Sequence, residues 1–172
     1  MNEDAVRYVL DTTVFIEAHR RYYAFKICPG FWEAIIHYQR DGLLISTTEN
    51  LREIMAGNKP DELKDWIKTK VPKAFFARVT DKDVVDAYEE TINWVNEQDY
   101  SQAAKNDYMN EPDAWVIAYA KAKKRCVVSE EVSEKVKKGE IKIPNVCRGL
   151  TVPHINTFDL LGRLGVELRW EQ

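Results

Sequence analysis

A chain of 172 residues with 45% hydrophobic and 31% charged residues has the balance of one soluble globular domain, long enough to bury a full core. Its net charge of −3 argues against an overall basic nucleic-acid surface, and no apolar run approaches the ~18–20 residues that would span a membrane. The acidic start, residues 1–4, lacks a signal-peptide pattern, and Cys28, Cys126 and Cys147 are odd in number with no C-x-x-C pair. Both features suit a reduced cytoplasmic compartment, with the thiols serving as small buried hydrophobes.

In chain order, Arg7-Tyr8-Val9-Leu10 reads as a buried strand that stops at Asp11-Thr12-Thr13 and turns into a helical stretch at 14–18. Cys28-Pro29-Gly30 breaks the chain before a helix at 31–40, with Phe31, Ile35, Ile36 and Tyr38 at helical spacing. Asp41-Gly42 ends it, and Leu43-Leu44-Ile45 is a second buried strand. Ser46-Thr47-Thr48-Glu49 has the form of a capping box, with Glu49 as the partner of Ser46, and opens a helix that stops near Gly57. The stretch 58–108 reads as a polar helical insertion or cap, with helices at 61–68 and 81–96. Asn110-Glu111-Pro112 then starts a tightly packed helix at 113–124. A strand at 125–128 ends at Ser129-Glu130-Glu131. After a basic excursion come a strand at 151–155, a helix at 157–164 and a last edge strand at 166–169.

This alternation predicts a single three-layer α/β/α domain over 1–172, with a mostly parallel central sheet and the helical insertion beside it. Ligands of such sheets bind outside the carboxyl ends of the strands, a rule that selects Asp11 and the 129–131 turn. Four acids become candidates: Asp11, Glu53, Asp113 and Glu131. Acids scattered singly over separate elements suit Mg²⁺ or Mn²⁺, which take oxygen ligands, lower the pKa of a bound water and stabilise charge on an attacked phosphate. Each also has a plainer role. Asp11 suits a helix cap, Asp113 a first helical turn favoured by the macrodipole, and Glu53 and the 130–131 pair a solvated surface.

The stretch 8–16, YVLDTTVFI, resembles the opening strand and first acid of the PIN domain family. Asp113-Ala114-Trp115-Val116-Ile117-Ala118 resembles that family's third-acid helix. Val127-Val128-Ser129-Glu130-Glu131 is similar to its strand followed by Thr-x-Asp, and Glu53 falls where the family places its second acid. Lys142-Ile143-Pro144-Asn145-Val146-Cys147 and Arg20-Arg21-Tyr22-Tyr23 resemble an uncharacterised PIN-like subfamily.

The resemblance implies a Mg²⁺- or Mn²⁺-dependent endoribonuclease that hydrolyses RNA phosphodiesters with a metal-activated water, commonly the toxin of a VapC-like toxin–antitoxin pair. By position, Asp11, Glu53, Asp113 and Glu131 would hold metal. Thr13 and Ser129 would orient the carboxylates or the metal's water. RNA, an antitoxin protein and a second copy of the chain are the implied partners. Glu stands at 131 where the family has Asp, which leaves open whether Glu130 or Glu131 is the fourth acid. It also keeps alive an alternative, a catalytically degenerate PIN-like module that binds RNA or protein.

Arg20 and Arg21 beside Tyr22 and Tyr23 could hold phosphate and stack a base, although packing of the tyrosines is favoured over that role. The other basic clusters, 121–125 and 135–142, have the ordinary form of solvated charge. His19, His37 and His154 are isolated, which argues against zinc. No phosphate-loop or dinucleotide glycine motif occurs. A haloacid-dehalogenase-like phosphatase would need a second Asp at position 13, where Thr13 stands.

Overall fold

The structure, a computed structural model, describes residues 6–57, 59, 61–133 and 137–169. The chain start 1–4 and Lys135 of the basic run lie outside the described residues. Tyr8, Val9 and Leu10 form the central strand β1 (Tyr8–Leu10), buried at every position, as an apolar run must be in a sheet covered on both faces. β2 (Leu44–Thr47) and β4 (Cys126–Val128) flank it in parallel, with Tyr8 opposite both Leu44 and Cys126. β3 (Phe76–Ala77) adds to β2 and β5 (His154–Ile155) to β4, so the parallel order is β3-β2-β1-β4-β5.

Side-chain alternation divides the core into two layers. Tyr8 and Leu10 face Phe15 of α1 (Thr12–Glu17), Phe31, Trp32 and Ile35 of α2 (Pro29–Arg40), and Leu160 of α9 (Thr157–Arg163). Ile54 of α3 (Thr48–Met55) and Leu63 and Ile67 of α4 (Glu62–Lys70) join this layer. Val9 and Val127 face the other way. They meet Val84 and Val95 of α5 (Lys82–Glu97), Tyr108 of α6 (Gln102–Asn110), Ile117 of α7 (Asp113–Ala122) and Val146 of α8 (Ile143–Gly149). The result is the expected three-layer α/β/α arrangement. Each large side chain buried this way contributes roughly 1.5–3 kcal/mol.

Four local readings change. The helix after β2 is capped by Thr47, whose hydroxyl accepts the Asn50 N–H at 3.2 Å, not by Ser46. Ser46 is the buried inner end of β2 and donates to the Leu10 carbonyl at 2.8 Å, while Glu49 pairs with Arg52. The 58–108 stretch is not wholly helical, because Phe76–Ala77 supplies an edge strand of the sheet. The basic excursion ends in α8, which Pro144 at an N-terminal position helps to start. Residues 166–169 form no strand. Both sheet edges are already taken by β3 and β5, and Val166 packs on the core instead. All three cysteines are free thiols, and burial pushes Cys126 up to about 11, a chemically quiet state.

Candidate active site

Because every strand runs the same way, the carboxyl ends of the strands collect on one edge with the amino ends of the helices that follow them. Asp11 leaves β1 at this edge as the N-cap of α1. Its Oδ2 accepts the Thr13 N–H at 3.1 Å and the Thr13 hydroxyl at 2.6 Å. Its own N–H donates to the Val128 carbonyl at 2.9 Å, which ties it to β4. The carboxylate is buried, and Oδ1 has no hydrogen-bond partner among the described residues. Desolvation pushes the Asp11 carboxyl up to about 6 against the pull of the Thr13 hydrogen bonds, and the charge of Glu131 adds to the rise.

Asp113 opens α7 directly after Pro112. Desolvation holds its carboxyl well above the usual range, and Asp11, Glu131, Glu111 and Glu53 add to the rise in that order. Acids from four separate parts of the chain thus act on one carboxyl group. Asp113, Glu111 and Glu131 line a cleft of about 210 Å³ together with Tyr108 and Lys142. Asp11 and Glu53 are not part of that lining; Glu53 is exposed on α3 and raises the Glu111 carboxyl as well.

The two neighbouring glutamates diverge. Glu131 Oε2 accepts the Ile143 N–H at 2.6 Å, at the start of α8, and Lys142 Nζ stands 3.7 Å from Oε1. Desolvation raises its carboxyl, while these two contacts lower it. Glu130 turns to α9, accepting the Thr157 N–H at 3.0 Å, and its own N–H donates to Thr13 Oγ1 at 3.0 Å. Glu131 is therefore the acid whose charge reaches both Asp11 and Asp113.

Thr13 holds Asp11 Oδ2 through its N–H and its hydroxyl. Ser129 does not hold a carboxylate, since its hydroxyl lies 2.8 Å from His154 Nε2 on the β5 side. Arg20 and Arg21 lie in a π-helical turn at Ala18–Tyr22, and Arg21 pairs with Glu17 at 2.8 Å. Tyr23 stacks on Phe31 in the core, whereas Tyr22 stays 49% exposed and meets Phe158, 53% exposed, edge-on at 5.6 Å. Phe158 follows Thr157, so this aromatic pair is linked to Asp11 through Glu130 and Thr13.

Two polar residues had no sequence signal. Asn50, fully buried in the first turn of α3, donates to the Leu10 carbonyl at 2.9 Å and to Ser46 Oγ at 3.0 Å, fixing the backbone just before Asp11. Tyr108 is a buried phenol whose hydroxyl has no partner among the described residues, and it feels the charge of Asp113. Each sits in an ordinary helical pattern, so only the tertiary fold reveals its neighbours.

The donors suit a hard dication. They are carboxylate oxygens, one of them buried and unpartnered, and they repel each other in a way that an ion would relieve. No three carboxylate, imidazole or thiol groups among the described residues stand together at ligating spacing. Any ion here would be held by one or two of these carboxylates and otherwise by water and substrate phosphate, as Mg²⁺ commonly is.

The parallel sheet and its layered helices define a PIN-like three-layer α/β/α domain. The crystal structure of FitAcB from Neisseria gonorrhoeae shares this fold, with a TM-score of 0.56 and 14% identity over 88% of this chain and 98% of that chain. Residues 8–168 match the family described as domain of unknown function (DUF4411), and the chain belongs to that family. No curated protein matches the sequence.

Proposed function

We propose that the protein is a Mg²⁺- or Mn²⁺-dependent ribonuclease that hydrolyses phosphodiester bonds of single-stranded RNA. The observation that carries this reading is the gathering of Asp11, Asp113 and Glu131 at the carboxyl end of the sheet, each with a raised carboxyl pKa and the first with an unpartnered oxygen. A bound dication would neutralise the attacked phosphate and make water a competent nucleophile near neutral pH. Asp11 would present Oδ1 while Thr13 holds Oδ2. Asp113 would face it from α7, and Glu53 would approach from the exposed side. Glu131, fixed by the Ile143 N–H, would orient the water or the ion from behind. Asn50 keeps the β1 carboxyl end in place.

Tyr22 and Phe158 offer exposed ring faces for an unpaired base next to the scissile position, and Arg20 supplies charge for the backbone. The resemblance of the sequence to PIN domains motivates the further reading that this nuclease is a toxin held by an antitoxin protein. The nuclease reading is tested on labelled single-stranded RNA with Mn²⁺ or Mg²⁺, with and without chelator. Cleavage should need the metal and fall by at least about 100-fold in Asp11→Asn and Asp113→Asn, roughly the loss expected for a group that stabilises the transition state directly. Equal cleavage by both variants, at unchanged circular dichroism, would overturn it and leave the binding-module alternative.

A further inference from the structure

At the opposite end of the sheet, where the strands begin, the 121–125 basic cluster lines a second concavity. Its cavity of about 800 Å³ is bounded by Arg7 before β1, by Lys121, Lys123, Lys124 and Arg125 between α7 and β4, and by Arg163 at the end of α9. No described acid lines it. Two of the six cations are already paired outward, Lys121 with Glu90 at 2.8 Å and Lys123 with Asp81 and Asp83 at 2.9 Å. Arg7, Lys124, Arg125 and Arg163 make no ion pair among the described residues.

The arrangement has an electrostatic origin and an unmet demand. Helices antiparallel to the strands bring their carboxyl termini to this end, where the macrodipole favours cations. That explains the residue types but leaves the positive charge uncompensated. Arg125 Nη1 is buried with no hydrogen-bond partner, an unusual state for a guanidinium whose donors normally find acceptors. Burial also lowers the Arg125 pKa, Tyr119 opposes the shift, and the nearby Arg7 adds to it. The backbone is held in the left-handed region on both sides of the pocket, at Lys124 (φ 51°) and Thr151 (φ 57°), which costs of order 1 kcal/mol or more for a residue with a Cβ. Val152 and Pro153 supply an apolar wall beside the cations.

We infer that this pocket is a phosphate-binding site, with Arg125 and Arg163 as the guanidinium anchors and Arg7 and Lys124 as supporting charges. Guanidinium forks match phosphate oxygens in pairs, and four unpaired cations suit a multiply charged anion better than a lone carboxylate. The volume and the apolar wall admit a group of nucleotide size. The phosphates come either from a free phosphorylated small molecule or from the backbone of RNA, and the pocket stands apart from the acidic end in either case.

The test is calorimetric titration of the whole protein with pyrophosphate and with ADP, and anisotropy with a labelled single-stranded oligoribonucleotide, all in chelator so that the acidic end binds no metal–phosphate. The wild type should bind pyrophosphate. Arg125→Gln with Arg163→Gln should weaken binding about tenfold or more, and Lys124→Asn, a residue that tolerates positive φ, should weaken it severalfold with the melting profile unchanged. If RNA binding falls in the same variants, the backbone is the source; if RNA binding is indifferent to them while pyrophosphate binding falls, the source is a small phosphorylated molecule. Failure of the wild type to bind any of the three probes, or undiminished binding in both variants, would overturn the assignment.

Discussion

Asp11 meets two demands on one side chain. Its Oδ2 caps α1 through Thr13, while Oδ1 stays buried and unpartnered, a state that ordinarily costs ~1–3 kcal/mol. The cap alone would have been satisfied by an exposed residue, and it is the buried, free Oδ1 that the proposed metal role would use. His154 supplies a separate residue-scale test. Desolvation lowers its imidazole pKa below the ordinary 6.5, against the opposing charge of Glu130, while Ser129 lies in hydrogen-bond contact. The unfolded chain therefore binds that proton more readily than the folded one. Its contribution to stability is complete above pH ~6.5 and is lost as the pH falls below that value. Chemical denaturation of the wild type and His154→Asn across pH 5–7.5 should show a steeper acid-side loss in the wild type; parallel curves would contradict this role.

Among the elements, α8 shows where sequence patterns run out. Its seven residues carry Pro144 but no clear amphipathic stripe, and its amino end is fixed by Glu131 from a turn twelve residues earlier. Beyond Pro144, the signal that places this helix is that tertiary contact. Its last residue, Gly149, lies against the Trp94 ring of α5, and an added Cβ would sit 2.0 Å from Trp94 Cζ2. Because the half-buried ring packs on the core, Gly149→Ala should destabilise the fold by about 1–3 kcal/mol, the usual range for overpacking. Urea denaturation reads this directly, and an unchanged midpoint would show that α5 can move aside. The capping reading at β2 failed by one residue for a related reason. Ser46 and Thr47 are chemically alike and both fully buried, and the bonds of Ser46 Oγ to the Leu10 carbonyl and the Asn50 amide leave Thr47 as the cap.

For the whole molecule, the strong apolar runs at 8–10 and 126–128 and the helices at 29–40 and 82–97 made the α/β/α layering legible in sequence. β3 was not legible. It is two residues long and is defined only by its pairing with β2. The acids Asp11, Asp113 and Glu131 stood out because each follows a strand or opens a helix, whereas the parting of Glu130 from Glu131 and the contacts of Asn50 and Tyr108 depend on long-range neighbours. No described helix is long and apolar enough to cross a membrane. The parallel topology is also what gives the molecule two unlike ends, acids where the strands finish and cations where they start.

Calorimetric titration of Mn²⁺ into the wild type, Asp11→Asn and Asp113→Asn tests most directly whether Asp11 and Asp113 serve one ion. Binding should be seen in the wild type and should weaken about tenfold or more in each single variant, because each would remove one of two carboxylates proposed to share the ion. Wild-type affinity retained in both variants, or no Mn²⁺ bound by the wild type, would contradict it.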